Sequence, residues 1–272
     1  MTHAPRIFDR IALLRHRSRA RADDLFLQQL AVDEIKDRLS MVNRTFKSIA
    51  IVTGFPEIWQ HDFTDAKLVS DSDTLELEAG QHDLVIHAMC LHWSNDPVGQ
   101  IIQCRRALIP DGLFLGVLLG GRTLYELRAA LTDAESRVSG GISPRVSPMA
   151  EIREVGALLQ RAGLNLPVAD GHASIAKYRD LAHLMLDLRD MGETNALASR
   201  LRRPTPRPVF EMAQALYREN YATPDGYLPA TFEMICLTGW SPDDSQPKPL
   251  RPGSAQARLA DALMTRETKL PD

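Results

Sequence analysis

The sequence of 272 residues is long enough to bury a sizeable hydrophobic core, either as one large domain or as a core with a smaller lobe. A hydrophobic content of 44%, a charged content of 25% and a formal net charge of −3 are ordinary for a globular protein, and nothing in them indicates a nucleic-acid ligand. No apolar run reaches the roughly 18 residues that span a membrane, and no secretory signal is recognisable, so the expected compartment is the cytoplasm.

The sequence predicts neither a metal site nor a disulfide. Cys90, Cys104 and Cys236 lack C-x-x-C spacing and are most simply reduced, buried thiols. No His and Cys spacing suits zinc or iron.

The first 24 residues are rich in arginine, and several apolar residues recur there at helical spacing. One interpretation is a basic amphipathic helix that lies on an anionic membrane surface, as a peripheral contact. A mitochondrial transit peptide is a second interpretation, which Asp9 and the acidic pair at 23–24 weaken. The third is a soluble helix that packs Phe8 and Leu14 on the core while its arginines extend to solvent.

Apolar runs and periodicity then predict an alternation of helices and strands. A helix is expected over 25–42, a first buried strand over 48–53, and a short strand followed by an acidic turn over 67–73. Residues 83–119 contain two unbroken apolar runs joined by an amphipathic helix, which is the pattern of a βαβ unit with both faces covered. Asp71 and Asp73 could be solvated turn residues, as their composition alone predicts.

Two residues stand out as candidates for chemistry. His87 follows the strand formed by the apolar run 84–86, and His92 lies in the loop beyond it, at the strand end where open α/β sheets bind ligands. An imidazole there can act as a general base near neutral pH. A packed structural pair with Trp93 is the alternative, and the sequence identifies no carboxylate that would orient the ring. Arg145 lies between two prolines and is a candidate for binding a carboxylate of a ligand or of the protein itself.

The second half of the chain adds mostly helices. Gly120-Gly121 precedes a helix over 124–134, where a turn capped by Thr123 is the simplest interpretation. A helix opening at Ser147-Pro148 should follow. Helical runs over 178–189 and 208–221 flank an Arg-Pro-rich connector at 200–207, which either binds an acidic partner or is a solvated linker. A last strand over 231–238 and a short helix over 255–264 complete the prediction.

Several motifs together carry a family resemblance. The stretch Asp83-Leu84-Val85 with Leu91-His92-Trp93 and Pro110-Asp111-Gly112 is similar to the fourth strand, helix and fifth strand of class I S-adenosylmethionine (SAM) methyltransferases. More narrowly, the motifs resemble the methyltransferase-like complex I assembly factors, through these further segments: 95–96, 105–108, 119–121, 140–146, 187–189, 225–226, 230–233 and 239–240.

The resemblance implies an α/β fold with a Rossmann-like class I methyltransferase sheet. The sheet should be mostly parallel with an antiparallel last strand, shortened in its N-terminal half, and supplemented by a helical insertion. The implied divisions are an N-terminal helical segment over 1–47, a core over 48–177, a helical lobe over 178–230, and the last strand and tail over 231–272. The implied cofactor is SAM, with no metal, and the implied cofactor-binding residues are Thr53, Gly54, Phe55, Asp71, Ser72, His87 and Ala88.

The chain departs from the resemblance at the turn after the first strand. Active SAM methyltransferases have several glycines there, which let the backbone approach the cofactor closely. Here a single glycine, Gly54, is followed by Phe55 and a proline that lacks an N–H donor. The interval from Gly54 to Asp71 is also too short for two helices and two strands, so Asp62 or Asp65 could replace the acidic residue that holds the ribose. By resemblance, Asp71 would lie at the adenine edge.

Three functions follow as hypotheses. The first is a SAM-dependent methyltransferase-like protein that resembles complex I assembly factors, and the second is a non-catalytic assembly factor on the same scaffold. The third comes from the resemblance alone, since some relatives are linked to arginine hydroxylation on a complex I subunit. A protein partner, such as a respiratory complex I subunit, and a position in the cytoplasm at the inner membrane are implied. Phe55 and Trp59, or the N-terminal segment, are expected to occlude the cofactor cleft.

Overall fold

One mixed β-sheet organises the chain up to Pro242. The computed structural model describes residues 6–21, 25–247 and 259–266. Among these residues, six strands form the sheet, and their bounds are β1 Ile49–Thr53, β2 Lys67–Ser70, β3 His82–Ala88, β4 Leu108–Leu119, β5 Asn165–Tyr178 and β6 Leu228–Trp240. Their order across the sheet is β2-β1-β3-β4-β6-β5. The helices are α1 Arg10–Arg17, α2 Phe26–Met41, α3 Pro56–Asp62, α4 Pro97–Ala107, α5 Tyr125–Ser139, α6 Ile152–Arg161, α7 Leu181–Asp190, α8 Arg207–Tyr221 and α9 Leu259–Ala262.

The strand directions confirm the predicted fold class. β1 pairs in parallel with both β2 and β3, and β3 pairs in parallel with β4. β6 runs antiparallel between β4 and β5. The central strand β1 is a nearly unbroken apolar run and β3 contains the apolar run 84–86, because helices cover both faces of these strands. Edge strand β5 is largely exposed and has no such run, and the sequence analysis did not place it.

The sheet is shortened on the β2 side. Between Gly54 and Asp71 the chain forms one helix, α3, and one strand, β2, before it reaches β3. Strand β2 therefore lies at this edge of the sheet, directly beside β1. Asp71 is the residue directly after β2, so it lies just beyond the end of the strand that is adjacent to β1.

Two apolar clusters cover the two faces of the sheet. The larger joins β1, β3 and β4 to α2, α5, α7 and α8, and the smaller joins the opposite face to α4 and α6. Trp59 is fully buried in the larger cluster, and its Nε1 donates to Oε1 of Gln28 on α2 at 3.2 Å. The expectation that Trp59 occupies the cofactor cleft was wrong, because α3 turns this side chain into the core.

Several predicted boundaries also change. Helix α5 runs to Ser139, and the residue at its N-cap is Leu124 in a left-handed conformation with φ of 54°. Thr123 is not the cap, because its Oγ1 donates to the carbonyl of Glu233. The helix expected at Ser147 begins at Ile152, where a capping box of Glu151 and Glu154 satisfies free amides.

The chain from Asp243 onward forms a separate unit. In it, Ser245 donates through both its amide and its hydroxyl to Oδ1 of Asp243. The helix expected over 255–264 falls partly outside the described residues, and the described part is α9. Among the described helices, none combines the length and apolarity that crossing a membrane would require.

The buried position of Trp59 generates a stability prediction. The Trp59→Ala variant should lower the free energy of unfolding by about 3–5 kcal/mol, since it removes apolar contacts and leaves a cavity. Urea denaturation followed by circular dichroism measures this loss. The matched control is Met41→Ala, at an exposed position at the end of α2, which should cost less than about 0.5 kcal/mol. A loss below about 1 kcal/mol for Trp59→Ala would contradict its place in the core.

Candidate functional site

The carboxyl ends of β1, β2 and β3 meet at one edge of the sheet. In the strand register, Thr53 lies opposite Ser70 on one side and Ala88 on the other. All of the predicted cofactor-binding residues therefore lie at or just beyond this edge, in the segments 53–55, 71–72 and 87–88. Open α/β sheets place their ligand sites at this end of parallel strands.

Asp71 is the most constrained of these residues. Its carboxylate is buried and forms ion pairs with Arg17 at 2.9 Å and with Arg10 at 2.6 Å, both from α1. Burial alone would raise the pKa of Asp71, but the two guanidinium groups outweigh burial and hold the pKa far below its ordinary range. The alternative of a solvated turn residue was therefore wrong for Asp71.

Asp62 and Asp65 were the alternative candidates for the ribose carboxylate. Asp62, at the end of α3, pairs with Lys36 of α2 at 2.6 Å and lines the larger cavity beside Gly54. Asp65 lies exposed in the turn before β2. Neither residue lines the smaller cavity, which is lined by both Gly54 and Asp71.

Arg17 fills the centre of the cleft. A Cβ atom added to Gly54 would collide with the Arg17 guanidinium, whose Cζ also lies 5.8 Å from the ring centroid of Phe55. Cavities of about 640 and 410 Å³ flank this guanidinium, and both are lined by Arg17 and Gly54. The N-terminal segment is thus the group that occludes the predicted cleft, and a side chain at position 54 would have to displace the Arg17 guanidinium.

Residues 6–21 form a segment that we call the N-terminal strap. Oδ1 of Asn95 accepts hydrogen bonds from the amides of Ile7 and Phe8 at 2.8 Å. The Phe8 ring packs edge-on against Trp93 with a centroid distance of 5.3 Å. The expected packing of Leu14 on the core was wrong, because Leu14 is 49% exposed and Leu13 is buried instead.

The Arg-Pro connector also holds the strap. Asp9 caps α1 by accepting from the amide of Ala12, and it forms ion pairs with Arg200 at 2.9 Å and Arg202 at 3.4 Å. The side chains of Arg200 and Arg202 are therefore not simply solvated. Hydrogen bonds and charges from these groups lower the pKa of Asp9.

His87 is fully buried, and its hydrogen bond helps to hold a neighbouring loop. Its Nε2 lies 2.6 Å from Oε1 of Gln100, whose amide nitrogen donates to the carbonyls of Asp71 and Ser72. Burial lowers the pKa of His87 to about 4, so the ring is neutral at physiological pH. This arrangement fixes the loop after β2 and thereby positions the Asp71 carboxylate.

His92 has a carboxylate neighbour that sequence reasoning missed. Oε2 of Glu193 lies 3.6 Å from Nε2 of His92 and accepts from Nε1 of Trp93 at 2.9 Å. Glu193 is placed there by the end of α7, where Gly192 adopts a φ of 75° and the Glu193 amide donates to the carbonyl of Leu188. The only sequence signal for Glu193 is that an acidic residue follows a glycine at a helix end. No spacing in the sequence connects Glu193 to His92.

Arg145 binds a carboxylate of the protein. Its Nη2 and Nε donate to Glu135 at 2.6 and 3.0 Å, and its Nη1 donates to Thr205. Ser143 adds two further donors to Glu135. Burial opposes the ionised form of Glu135, but these donors lower its pKa to about 2. Arg145 was predicted to bind a carboxylate either of a ligand or of the protein itself, and in the structure it binds a carboxylate of the protein.

The Glu135 network generates a pH-dependent stability prediction. Because its pKa falls from an ordinary value of about 4.3 to about 2, ionised Glu135 stabilises the fold above about pH 4.3, and this contribution is lost as the pH falls toward 2. Glu135→Gln should therefore reduce the free energy of unfolding by about 3 kcal/mol at neutral pH and by much less near pH 3. Urea titrations at the two pH values measure the difference. The control Glu219→Gln, at an exposed position, should show no such dependence, and a loss independent of pH would contradict the prediction.

The residues at the sheet edge do not fit SAM in this conformation. Asp71 could hold ribose hydroxyls only after releasing Arg10 and Arg17, and the guanidinium of Arg17 covers the backbone at Gly54. In the part of the chain that the structure describes, no group of three His, Cys, Asp or Glu side chains is arranged to hold a metal ion. The arrangement binds an arginine of the chain itself at the position that the resemblance assigns to the cofactor.

Comparison with known protein families assigns part of the chain to a family. Residues 36–116 match the family described as methyltransferase domain. These residues belong to the methyltransferase domain family. This match confirms the predicted resemblance to methyltransferases.

Three proteins illustrate what the methyltransferase domain is similar to. "Arginine-hydroxylase NDUFAF5, mitochondrial" of Danio rerio is 38% identical over 194 residues, which are 71% of this chain and 60% of that protein. "Malonyl-[acyl-carrier protein] O-methyltransferase" of Methylovorus sp. is 36% identical over 173 residues, or 64% of this chain and 56% of that one. The solved structure of the YcgJ protein from Bacillus subtilis has a TM-score of 0.44 and 12% identity, covering 72% of this chain and 82% of that one. The chain therefore spans between 56% and 60% of the length of these two curated relatives.

Proposed function

We propose that this protein is a methyltransferase-like assembly factor for respiratory complex I, whose SAM cleft is closed by its own N-terminal strap. The observation that carries the proposal is the Arg17 guanidinium, which lies over Gly54 and is bound to the buried Asp71. Similarity to proteins named NDUFAF5 supports the assembly role, and the methyltransferase domain supports a SAM-sized cleft.

The strength of the ion pair explains why the cleft stays closed. Removing one partner of a buried ion pair costs about 3–5 kcal/mol, because the other charge remains buried and unpaired. SAM must displace Arg17 before Asp71 becomes available, so the cofactor binds only the fraction of molecules in which the strap has moved. The apparent dissociation constant is the intrinsic value divided by that fraction.

Calorimetric titration with SAM and S-adenosylhomocysteine tests the closed cleft. The wild-type protein should show weak or no saturable binding, whereas Arg17→Ala should bind at least about tenfold more tightly, since the open fraction increases. Arg15→Ala is the matched control, because Arg15 is exposed on the same helix, and it should behave like wild type. Micromolar binding by the wild-type protein would contradict the proposal.

A non-catalytic scaffold is the alternative, and the same titration distinguishes it. Methyl transfer needs mainly alignment of the nucleophile, methyl carbon and sulfur, so few catalytic side chains are required once SAM binds. The turn at Phe55-Pro56 has lost the glycines of an active SAM site, which favours the alternative. If Arg17→Ala is folded and still binds neither compound, the turn itself forms no site, and the scaffold serves only a partner.

The role in complex I assembly has its own test. Deletion of the gene should lower the amount of assembled complex I, and the wild-type gene should restore it. Unchanged complex I would remove this part of the proposal. Mass analysis of the complex I subunits in both strains would show whether an added oxygen or an added methyl group depends on the protein. This measurement distinguishes the hydroxylation named for the relatives from methyl transfer.

We place the protein in the cytoplasm at the inner membrane, through the outer face of the strap. Ile7, Ile11 and Leu14 lie at helical spacing and are exposed, and Ile11 is 72% exposed. Arg15 and Arg19 are also exposed, and no ion pair is seen for them among the described residues. An exposed apolar stripe beside unpaired arginines suits an anionic bilayer surface.

Vesicle sedimentation tests the membrane contact. The protein should sediment with vesicles of phosphatidylcholine and phosphatidylglycerol, but less with phosphatidylcholine alone, because the arginines require anionic lipid. Ile11→Asp should abolish sedimentation. The matched control is Ile175→Asp, an equally exposed isoleucine on β5, which should leave binding unchanged. Equal sedimentation of both variants would contradict the strap as the contact.

A further inference from the structure

A second cavity, separate from the cleft at Arg17, lies between β4 and the helices inserted between β5 and β6. Its volume is about 310 Å³, which is at the lower end of small-molecule sites. Most of its lining is apolar and comes from β4, α5, α7, α8 and β6, with Leu119, Leu127, Leu131, Leu188, Phe210 and Phe232 among the contributors. The apolar lining predicts a ligand whose body is largely hydrocarbon.

One wall of this cavity contains a buried carboxylate. The Glu193 side chain is 6% exposed and lines the cavity together with Trp93, which donates to its Oε2. Nδ1 of the neighbouring His92 accepts from the amide of Leu119, so in the neutral ring the proton resides on Nε2. That Nε2 is buried without a hydrogen-bond partner, which is uncommon in folded proteins. The cavity therefore combines a mainly apolar lining with a buried carboxylate that can accept a hydrogen bond.

The surrounding charges indicate which polar group the Glu193 carboxylate accepts. Arg189 lines the cavity with a charge opposite to that of Glu193, and Arg145 also lines it but is already paired with Glu135. A cationic ligand would be repelled by Arg189, and an anionic ligand would be repelled by Glu193. A neutral hydrogen-bond donor, such as a hydroxyl group, avoids both penalties.

The backbone at the cavity is strained. Leu124 lines the cavity and has a φ of 54°, a left-handed backbone conformation that residues other than glycine rarely adopt. Its amide donates to the carbonyl of Thr231 at 2.8 Å, which holds the strained residue in place. Strain of this kind persists where the surrounding structure fixes it, and it concentrates at ligand sites.

We propose that this cavity binds a small, uncharged, apolar molecule that carries one hydroxyl group. The hydroxyl donates to the Glu193 carboxylate, and the hydrocarbon body packs among the leucine and phenylalanine side chains. The site lies apart from the cleft that Arg17 closes. It therefore depends neither on SAM binding nor on a role in complex I assembly.

A matched pair of probes tests the proposal by calorimetry on the full chain. 4-Propylphenol should bind saturably, and 4-propylanisole, which lacks the hydroxyl donor, should bind at least about tenfold more weakly. The cationic probe 4-propylbenzylamine should also bind more weakly than the phenol. Equal affinity for phenol and anisole, tighter binding of the amine, or no binding of the phenol would each overturn the proposal.

Substitutions in the cavity lining test where the probes bind. Glu193→Gln should weaken 4-propylphenol by about tenfold and leave 4-propylanisole unchanged, since a hydrogen bond to a charged acceptor is replaced by a neutral one. Met185→Trp, at a half-buried position in the lining, should weaken both probes by filling the cavity. The control Glu219→Gln should bind like wild type. Circular dichroism checks that each variant is folded. Unchanged phenol binding in folded Glu193→Gln would show that the carboxylate does not bind the hydroxyl.

Discussion

The buried ion pair between Asp71 and the arginines of α1 is the interaction on which the site depends. A carboxylate at the end of β2 is stable in a buried position only when cations compensate it. Arg17 and Arg10 supply this compensation, and Arg17 reaches Asp71 by passing over Gly54. The same pair therefore explains how the N-terminal strap is held against the sheet edge and why the cleft is closed.

The strap connects this pair to the outside of the molecule. Its inner face contributes Arg17 and Leu13 to the interior, while its outer face presents Ile11 and Leu14 to solvent. This differs from the usual surface helix, because a charged side chain is buried and two large apolar side chains are exposed. A partner or bilayer that binds the outer face would act on the helix that closes the cleft, so binding and cleft opening would be energetically linked.

Two cavities with different linings lie on the carboxyl-terminal side of the sheet. The cleft at Gly54 contains the Asp71 carboxylate, which is paired with arginines, whereas the cavity at Glu193 is mainly apolar and contains a few polar side chains. Arg17 and Gly54 line the former and not the latter, so the two are separate sites.

The sequence by itself determined the central elements. Strand β1 and the apolar runs 84–86 and 113–119 within β3 and β4 were readable from the sequence, as were the motifs that carry the family resemblance. The resemblance in turn implied the antiparallel last strand and a shared site for Gly54, Asp71 and His87. Only the tertiary structure decided what Asp71 binds, because Arg17 is 54 residues away in the chain and any of several arginines was an equal candidate. It also decided that Trp59 is core, that Arg145 binds Glu135, and that Glu193 lies beside His92. These contacts depend on how helices pack over the sheet, and a packing contact between distant residues leaves no periodicity or spacing in the sequence.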